Sequence, residues 1–358
     1  MTIHLIGQRN SSGIGNHFAA FADAVGSLDQ IGAQVQELDF QNPAAVVAAA
    51  EASTDLDVTI SFVGMNIQDL FRGLRIQWIV FESTRIPADV LRSAESADVV
   101  WVPSSWGRDI LIANGIHRHK IDIVPEGVDH ALFHPHGRVA EVRPFRFLMV
   151  SKYEIRKSYP EIFTAFAAEF GNDPGVELVM KSDYFRDGDV KARQMISDLR
   201  SHGFENWRLN WGYADIRTVA RMYRTADVFL SAPRGEAWGL PIIEAAAMGL
   251  PIISTMYSGH GEFLKPIQSS VIPVDYDMGA VDCPEYKGYY PAADGDWGAW
   301  AIPRVDSIRS AMRTARNNHA KLSQQARKNS RIIRTKFSWT ASADSAVQAL
   351  ESRGVSFG

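Results

Sequence analysis

The chain alternates short apolar runs with longer stretches in which apolar side chains recur every three or four residues. In the first half, the apolar runs at 3–6, 34–38, 58–62, 77–81, 99–102 and 121–124 are predicted to be strands. The spacing between them predicts helices at 15–28, 44–52, 67–74, 88–94 and 107–113. Alternation of this kind predicts a parallel sheet with helices on both faces.

A second alternation begins near residue 145. Its apolar runs predict strands at 147–150, 176–181, 207–211, 228–231 and 251–254, and its helical patterns lie at 159–170, 190–201, 216–225 and 241–248. The stretch 275–300 is rich in Gly, Pro, Asp and aromatic residues, so we expect an irregular insertion there. Two helical patterns, at 305–333 and 338–350, follow it.

Residues 133–144, between the two regions, are polar, contain two prolines and lack periodicity, which predicts a linker at 136–144. We therefore expect an α/β protein with two doubly wound, Rossmann-like domains, at 1–135 and at 145–335. A helix at 336–358 is expected to cross back to the first domain. In such tandem domains a ligand is expected where strand carboxyl ends meet, in a central cleft between the domains.

Composition narrows the class of protein. The 358 residues include 37 Lys and Arg against 41 Asp and Glu, a net charge of −4 that argues weakly against a dedicated nucleic-acid binder. The single cysteine, Cys283, excludes an internal disulfide and a thiolate metal cluster. No apolar run approaches the length of a membrane span, and residues 2–7 resemble a buried strand more than a signal peptide. We expect a cytoplasmic protein, with peripheral attachment to the inner face of the membrane left open.

The stretch 233–249, PRGEAWGLPIIEAAAMG, carries the most chemistry. It follows an apolar strand, contains a glycine-rich turn and opens a helix with Pro241 near its start. Free amides and the helix dipole at such a start form a site for a pyrophosphate. Glu236 and Glu244 could then accept hydrogen bonds from the hydroxyls of one extended ligand. The alternative interpretation is a capped helix with two solvated acids.

This stretch resembles the Glu-x7-Glu signature of retaining glycosyltransferases of the large GT4 family, which adopt the GT-B fold. The resemblance includes the segments 226–228, 249–253 and 259–262 and covers residues from about 145 to 265. It implies that Glu236 contacts hydroxyls of the donor sugar and that Glu244 contacts the nucleotide ribose. It also implies that the backbone amides of Trp238, Gly239 and Leu240 touch the sugar and the diphosphate.

A cluster of cations directly follows the strand at 147–150. Lys152, Arg156 and Lys157 could neutralise a leaving diphosphate, although a solvated basic loop has the same composition. The cluster resembles the family's Gly-Arg-x4-Lys-Gly element, with Lys152 in the arginine position and Lys157 in the lysine position. Ser151 and Ser158 replace the usual glycines. Lysine lacks the bidentate geometry of arginine, and Arg156 could compensate.

Two further candidates lie in the first half. Gly13 and Gly15, between the first strand and the first helix, resemble the GT4 glycine loop that meets the donor diphosphate from the acceptor side. Glu82 follows a predicted strand, at the place where many GT4 members carry a histidine near the transferred sugar. It could orient a hydroxyl, act as a base or cap a turn. As a dinucleotide fingerprint the glycine turn is incomplete, because Phe18 stands where a third glycine is required.

The sequence therefore predicts a hexosyltransferase that uses a UDP-, GDP- or ADP-linked sugar, retains its configuration and requires no metal or other cofactor. Asp55-Leu56-Asp57 precedes a strand instead of following one, so a metal-binding Asp-x-Asp site is not indicated. A glycan, a lipid-linked intermediate, a protein or a modified nucleobase could be the acceptor. The alternatives are a sugar-nucleotide-binding protein without turnover and, less favoured, an NAD-dependent oxidoreductase.

Overall fold

A computed structural model describes residues 1–28, 32–62, 66–137, 143–183, 188–283, 286 and 295–357. The chain divides into two compact units. The first contains Met1–Gly127, the described residues of Pro284–Gly298, and Phe337–Gly358 without its last residue. The second contains Val128–Cys283 and Ala299–Lys336. The division thus falls at Gly127, before the predicted boundary at 135, and most of the predicted linker (138–142) lies outside the described residues.

The first unit is built on a parallel six-stranded sheet in the order β2-β1-β3-β4-β5-β6. Its strands β1 to β6 are Thr2–Gly7, Gln34–Asp39, Val58–Ser61, Leu74–Trp78, Val99–Val102 and Ile121–Ile123. Side chains of β1 alternate between the two faces of the sheet. Ile3 and Leu5 join one apolar core and Ile6 joins the other.

Five α-helices of the described residues cover this sheet. They are Gly13–Gly26, Pro43–Ala52, Ala88–Ser96 and Ser105–Ala113, here α1 to α4, and Trp339–Ser352 near the end of the chain, here α12. Phe18 and Phe21 of α1 share a core with Ala343 and Leu350 of α12. The carboxy-terminal helix therefore packs in the first unit, beside the first helix of the chain.

Two predicted elements of the first unit differ from those found. The helix predicted at 67–74 is a short 3₁₀ helix, Asn66–Leu70, because Gly73 adopts a φ of +77° and turns the chain into the next strand. That strand is Leu74–Trp78 and not 77–81. Glu82 consequently lies in the loop beyond the strand and not directly after its last residue.

The second unit repeats the architecture with the strand order β12-β11-β10-β7-β8-β9, all parallel. Strands β7 to β12 are Phe145–Val150, Val176–Ser182, Trp207–Trp211, Val228–Leu230, Ile252–Thr255 and Val271–Val274. The sequence did not predict β12. It has four residues and includes Pro273, which is tolerated because β12 is an edge strand.

The helices of the second unit pack around a core that includes Phe147 of β7. They are Tyr159–Phe170, Gly188–Ser201, Ile216–Arg224, Leu240–Ala247, Gly261–Leu264, Val305–Asn317 and His319–Lys336, here α5 to α11. The second unit also contains short 3₁₀ helices at Ile155–Lys157 and Lys265–Ser270, and the first unit contains one at Arg118–Lys120. The helix predicted at 305–333 is thus two helices that separate at Asn318.

The stretch predicted to be an irregular insertion contains regular structure at both ends. Tyr276–Ala280 (β13) and Ala299–Pro303 (β14) pair as antiparallel strands. Between them only residues 281–283, 286 and 295–298 are described. Among the described helices none combines the length and the hydropathy of a membrane span.

Candidate active site

The turn that follows β10 is held by hydrogen bonds to two other loops of the second unit. The Glu236 amide donates to Ser258 Oγ at 2.9 Å, and the Gly259 amide donates to the Glu236 carbonyl at 2.8 Å. The Arg234 amide donates to the Arg156 carbonyl at 2.8 Å. A Cβ atom on Gly259 would lie 1.7 Å from the Ala237 carbonyl oxygen, so only glycine permits this approach. These contacts join the stretch 233–240 to the segment 258–261 and to the loop 151–158, which carries Lys152, Arg156 and Lys157 and is called the cation loop below.

The Glu236 side chain is bound by two cations in the interior of the second unit. Only 7% of the residue is exposed. One carboxylate oxygen contacts Lys157 Nζ, and the other lies 3.0 Å from Arg156 Nη1. Burial alone would raise the pKa of Glu236, but the charges of Lys157 and Arg156 outweigh it and lower the pKa to about 2. Glu236 is therefore ionised at neutral pH.

The cation loop reaches Glu236 through a tight local turn. Arg156 and Lys157 lie in the 3₁₀ helix Ile155–Lys157, and the next residue, Ser158, is fully buried with a φ of +57°. This left-handed conformation explains why glycine is usual at the corresponding position of the resembled motif. Arg156 Nη1 also donates to the Gly235 carbonyl at 2.7 Å. Lys152 lies earlier in the loop, directly after β7, and is partly exposed.

Helix α8 begins beside Glu236. Gly239 precedes it with a φ of +99°, and Pro241 lies in its first turn. The Trp238 side chain is buried and packs edge-on against Phe263, with ring centroids 5.0 Å apart, so its indole belongs to the core. Leu240 keeps part of its surface exposed. The turn and the first helical residues thus have the backbone form that the sequence predicted.

Glu244 lies in α8, and its environment differs from that of Glu236. Tyr223 Oη donates to Glu244 Oε2 at 2.8 Å. Although part of Glu244 remains exposed, burial raises the pKa of its carboxyl group to about 8, and the hydrogen bond from Tyr223 opposes this rise only in part. Sequence reasoning missed Tyr223, because it belongs to the buried stripe of α7 and has the spacing of a core residue.

His260 is a second residue that sequence reasoning did not assign to the site. It is fully buried, with Nε2 2.5 Å from the Thr255 carbonyl oxygen and Nδ1 3.4 Å from Ser258 Oγ. Burial lowers the pKa of its imidazole. A neutral His260 thus contacts Ser258, whose hydroxyl oxygen accepts the hydrogen bond from the Glu236 amide. The sequence signal for His260 is the segment 259–262, which belongs to the resemblance to the GT4 family.

The remaining candidates lie in the first unit. Gly13 is the first residue of α1, and the amide of Gly15 donates to the N-cap Ser12 Oγ at 3.1 Å. Asn10 Oδ1 accepts from the Ser12 amide at 2.9 Å and so shapes the turn. Neutral side chains and backbone groups make all of these contacts.

Glu82 is partly exposed and contacts Tyr286. Tyr286 Oη donates to Glu82 Oε2 at 3.5 Å, a long hydrogen bond. The Tyr286 ring lies 5.9 Å from that of Phe81 and 5.2 Å from that of Trp297. The sequence could not reveal Tyr286 as a neighbour of Glu82, because about 200 residues separate the two and no pairing pattern connects their segments.

Comparison with known proteins supports the predicted resemblance to glycosyltransferases. Residues 138–280 match the family described as Glycosyl transferases group 1. Mannosylfructose-phosphate synthase of Agrobacterium fabrum is 26% identical over 176 residues, which cover 46% of this chain and 39% of that protein. D-inositol 3-phosphate glycosyltransferase of Segniliparus rotundus is 26% identical over 147 residues, covering 39% of this chain and 32% of that protein. The matches span less than half the length of these relatives.

Solved structures share the whole fold at low sequence identity. HepE of Anabaena, solved in complex with UDP and glucose, has a TM-score of 0.72 and 13% identity, covering 98% of this chain and 100% of that chain. Sucrose-phosphate synthase of Thermosynechococcus elongatus has a TM-score of 0.69 and 14% identity, covering 99% of both chains. The predicted GT-B fold is confirmed, as is the resemblance to group 1 glycosyltransferases. The predicted enzyme class agrees with that family and with the curated relatives.

Proposed function

We propose that this chain is a retaining glycosyltransferase that moves a hexose-type sugar from a nucleoside diphosphate to an acceptor hydroxyl or other nucleophile. The observation that carries the proposal is the buried Glu236, ionised and held by Lys157 and Arg156 next to the start of α8. A buried carboxylate with two cations is ready to orient sugar hydroxyls beside a diphosphate.

The donor is proposed to lie along the turn and α8. Glu236 accepts hydrogen bonds from the sugar hydroxyls, and Glu244, eight residues further on, contacts the ribose. The amides of Trp238, Gly239 and Leu240 face the diphosphate, which the positive end of the α8 dipole also favours. Because a raised pKa leaves Glu244 largely protonated at neutral pH, it can donate as well as accept a hydrogen bond to a ribose hydroxyl.

In the proposed reaction, the bond between the anomeric carbon and the diphosphate oxygen breaks with its electron pair on the diphosphate. Lys157, Lys152 and Arg156 stabilise the negative charge that develops there. The acceptor forms its bond to the anomeric carbon on the same face, and its proton passes to the departing phosphate oxygen. No protein nucleophile is required.

For the first unit we propose that the turn with Gly13 and Gly15 contacts the donor diphosphate and that Glu82 has a role towards the acceptor. A partly exposed carboxylate that receives a hydrogen bond from Tyr286 retains acceptor sites for hydroxyl groups. The chemistry of the acceptor is not specified by these residues, so glycans, lipid-linked intermediates, proteins and modified nucleobases are all candidates for screening.

The test is protection of the protein from thermal unfolding by UDP-, GDP- and ADP-sugars, followed by NMR assignment of the anomeric configuration of any product. UDP-glucose is the first donor to try, because HepE was solved with it.

Glu244→Ala should weaken nucleotide binding by about 1–3 kcal/mol, the cost of one buried hydrogen bond. Protection without turnover with any acceptor or water would favour a binding protein, and protection by NADH alone would contradict the proposal. An inverted product would contradict its stereochemistry.

A further inference from the structure

Two consecutive helices of the second unit differ in whether their cationic side chains form ion pairs. In α10, Arg313 lies 2.6 Å and Arg309 3.7 Å from Glu169, and Arg316 lies 2.9 Å from Asp173. These three arginines tie α10 to α5 and to the loop that follows it. Helix α11 comes next in the chain and carries twice as many cations, with no Asp or Glu among its residues: Lys321, Arg327, Lys328, Arg331, Arg334 and Lys336.

The cations of α11 form no ion pair with any acid in the part of the chain that the structure describes. All of them except Arg334 are exposed. The buried stripe of the helix consists of Ser323, Ala326, Ser330 and Ile333. A rotation of about 100° per residue then places Lys321 and Lys328 near the middle of the opposite, exposed face and Arg331 about 60° from that middle. The helix has 18 residues, so this face is about 27 Å long.

This arrangement limits what the face can bind. The chain as a whole has a net charge of −4, so the face is a local excess of positive charge. Its cations are spread along the helix and do not converge on one point, as the recognition of a single phosphate would require. The helix contains no Phe, Tyr or Trp on which nucleic-acid bases could stack. An extended plane of negative charge is the surface that matches it.

We propose that the exposed face of α11 binds the anionic headgroup surface of a lipid bilayer. The attraction is electrostatic, because the apolar residues Leu322 and Ile332 are both partly buried and leave little to insert. Each cation near such a surface strengthens binding by about fivefold at physiological salt. The surface is independent of the proposed transfer site, since no residue of α11 belongs to that site.

The experiment measures binding of the full chain to vesicles of phosphatidylcholine with and without one third phosphatidylglycerol. The test variant is the triple substitution Lys321→Gln, Lys328→Gln and Arg331→Gln. The control is Arg193→Gln, Arg200→Gln and Arg217→Gln, which removes the same charge from exposed positions on α6 and α7. Melting temperatures verify that both variants fold.

We expect the wild-type chain to bind only the anionic vesicles and to dissociate as salt is raised. The test variant should bind on the order of 100-fold more weakly, and the control variant should bind like the wild type. Equal loss in both variants would mean that net charge alone matters, and no preference for anionic vesicles would also overturn the proposal. Binding of single-stranded or duplex oligonucleotides that is lost only in the test variant, without vesicle binding, would assign the face to nucleic acid instead.

Discussion

Each unit contains its own parallel six-stranded sheet, yet the candidate site residues of the two units differ in charge and in contacts. In the second unit, Glu236 binds Lys157 and Arg156 in a buried ionic cluster. In the first unit, the turn with Gly13 and Gly15 is held by neutral groups, and Glu82 receives a long hydrogen bond from a tyrosine. The match to group 1 glycosyltransferases covers residues 138–280, and every described residue of that stretch lies in the second unit. The proposed chemistry is therefore assigned to the loops after the strands and not to the sheet.

The ionic cluster is better explained by function than by stability. Removing a carboxylate and two cations from water costs several kcal/mol per ion, and their mutual attraction often only offsets that cost. Apolar residues of similar volume would fill the same space without this penalty. The first unit shows such a solution, because the rings of Phe21, Trp78 and Trp101 pack together in its core. A cluster of this kind in the second unit indicates a site prepared for a charged ligand.

Glu236→Ala provides the strongest test of the difference between the units. If Glu236 orients the donor sugar, transfer should fall by on the order of 10³-fold or more, while binding of the nucleoside diphosphate without the sugar should persist. Steady-state transfer and calorimetric titration with the diphosphate measure the two effects. If bare nucleotide binding falls as much as it does in Glu244→Ala, the proposed division of roles between the glutamates is wrong.

Lys157→Ala should have the next largest effect. Turnover should fall by on the order of 10²-fold, a usual cost of losing one preorganised charge stabiliser. Arg156→Ala is the informative companion, because Arg156 also donates to the Gly235 carbonyl and so supports the turn. We expect it to lower the melting temperature more than Lys157→Ala does. Normal turnover in Lys157→Ala together with an inactive, folded Arg156→Ala would show that Arg156 is the main diphosphate ligand.

Glu82→Gln tests the contribution of the first unit. The fold and donor binding should be retained, and transfer to the acceptor should fall by about tenfold if one charge-assisted hydrogen bond is weakened. Hydrolysis of the donor in water separates the two functional roles, since it falls only if Glu82 serves the transferred sugar. Tyr286→Phe, which removes only the hydroxyl, should reproduce a milder form of the same change. A lower melting temperature with unchanged specific activity would leave Glu82 a structural role only.

The sequence predicted the candidate cluster around Glu236 better than the surroundings of Glu82 and Glu244, for physical reasons. Its residues lie within two short segments, 150–158 and 233–249, so local spacing was sufficient to select them as candidates. The partners of Glu82 and Glu244 come from distant elements, because Tyr286 and Tyr223 meet these acids only through tertiary folding. Strand β12 was missed because it is short and contains a proline, and the end of β4 was placed too late because Ile79 and Phe81 are buried although they lie outside the sheet.

Departures from the resembled motif were also only partly interpretable from sequence. Ser158 replaces a glycine of the motif, yet its φ of +57° retains the backbone turn that glycine would favour. Lys152 in place of arginine could not be weighed against Arg156 before the contacts of Arg156 with Glu236 and Gly235 were known. Local spacing identifies which residues are available, whereas packing decides which of them meet.

The smallest expected effect concerns the opposite pKa shifts of the two glutamates in the second unit. Folding raises the pKa of Glu244 from 4.5 to about 8, so the folded chain holds a proton that the unfolded chain has lost between these values. This group therefore makes the free energy of unfolding fall as pH rises from 4.5 to 8. Glu236, with a lowered pKa of about 2, loses its stabilising contribution only as pH falls from 4.5 towards 2, outside that window.

Glu244→Gln keeps a neutral side chain at every pH and should remove the part of the slope that Glu244 causes. Because Glu244 is partly exposed, we expect the free energy of unfolding to rise by only about 1 kcal/mol, or the melting temperature by 2–4 °C, at pH 8, and almost not at all at pH 5.

Glu236→Gln is the matched control, and it should destabilise the protein at both pH values, because the charges of Lys157 and Arg156 would lose their partner. Melting curves of the three proteins at pH 5 and pH 8 are sufficient. If the difference between Glu244→Gln and the wild type is the same at both pH values, Glu244 is ionised throughout. Its contact with the ribose would then be that of a carboxylate that only accepts hydrogen bonds.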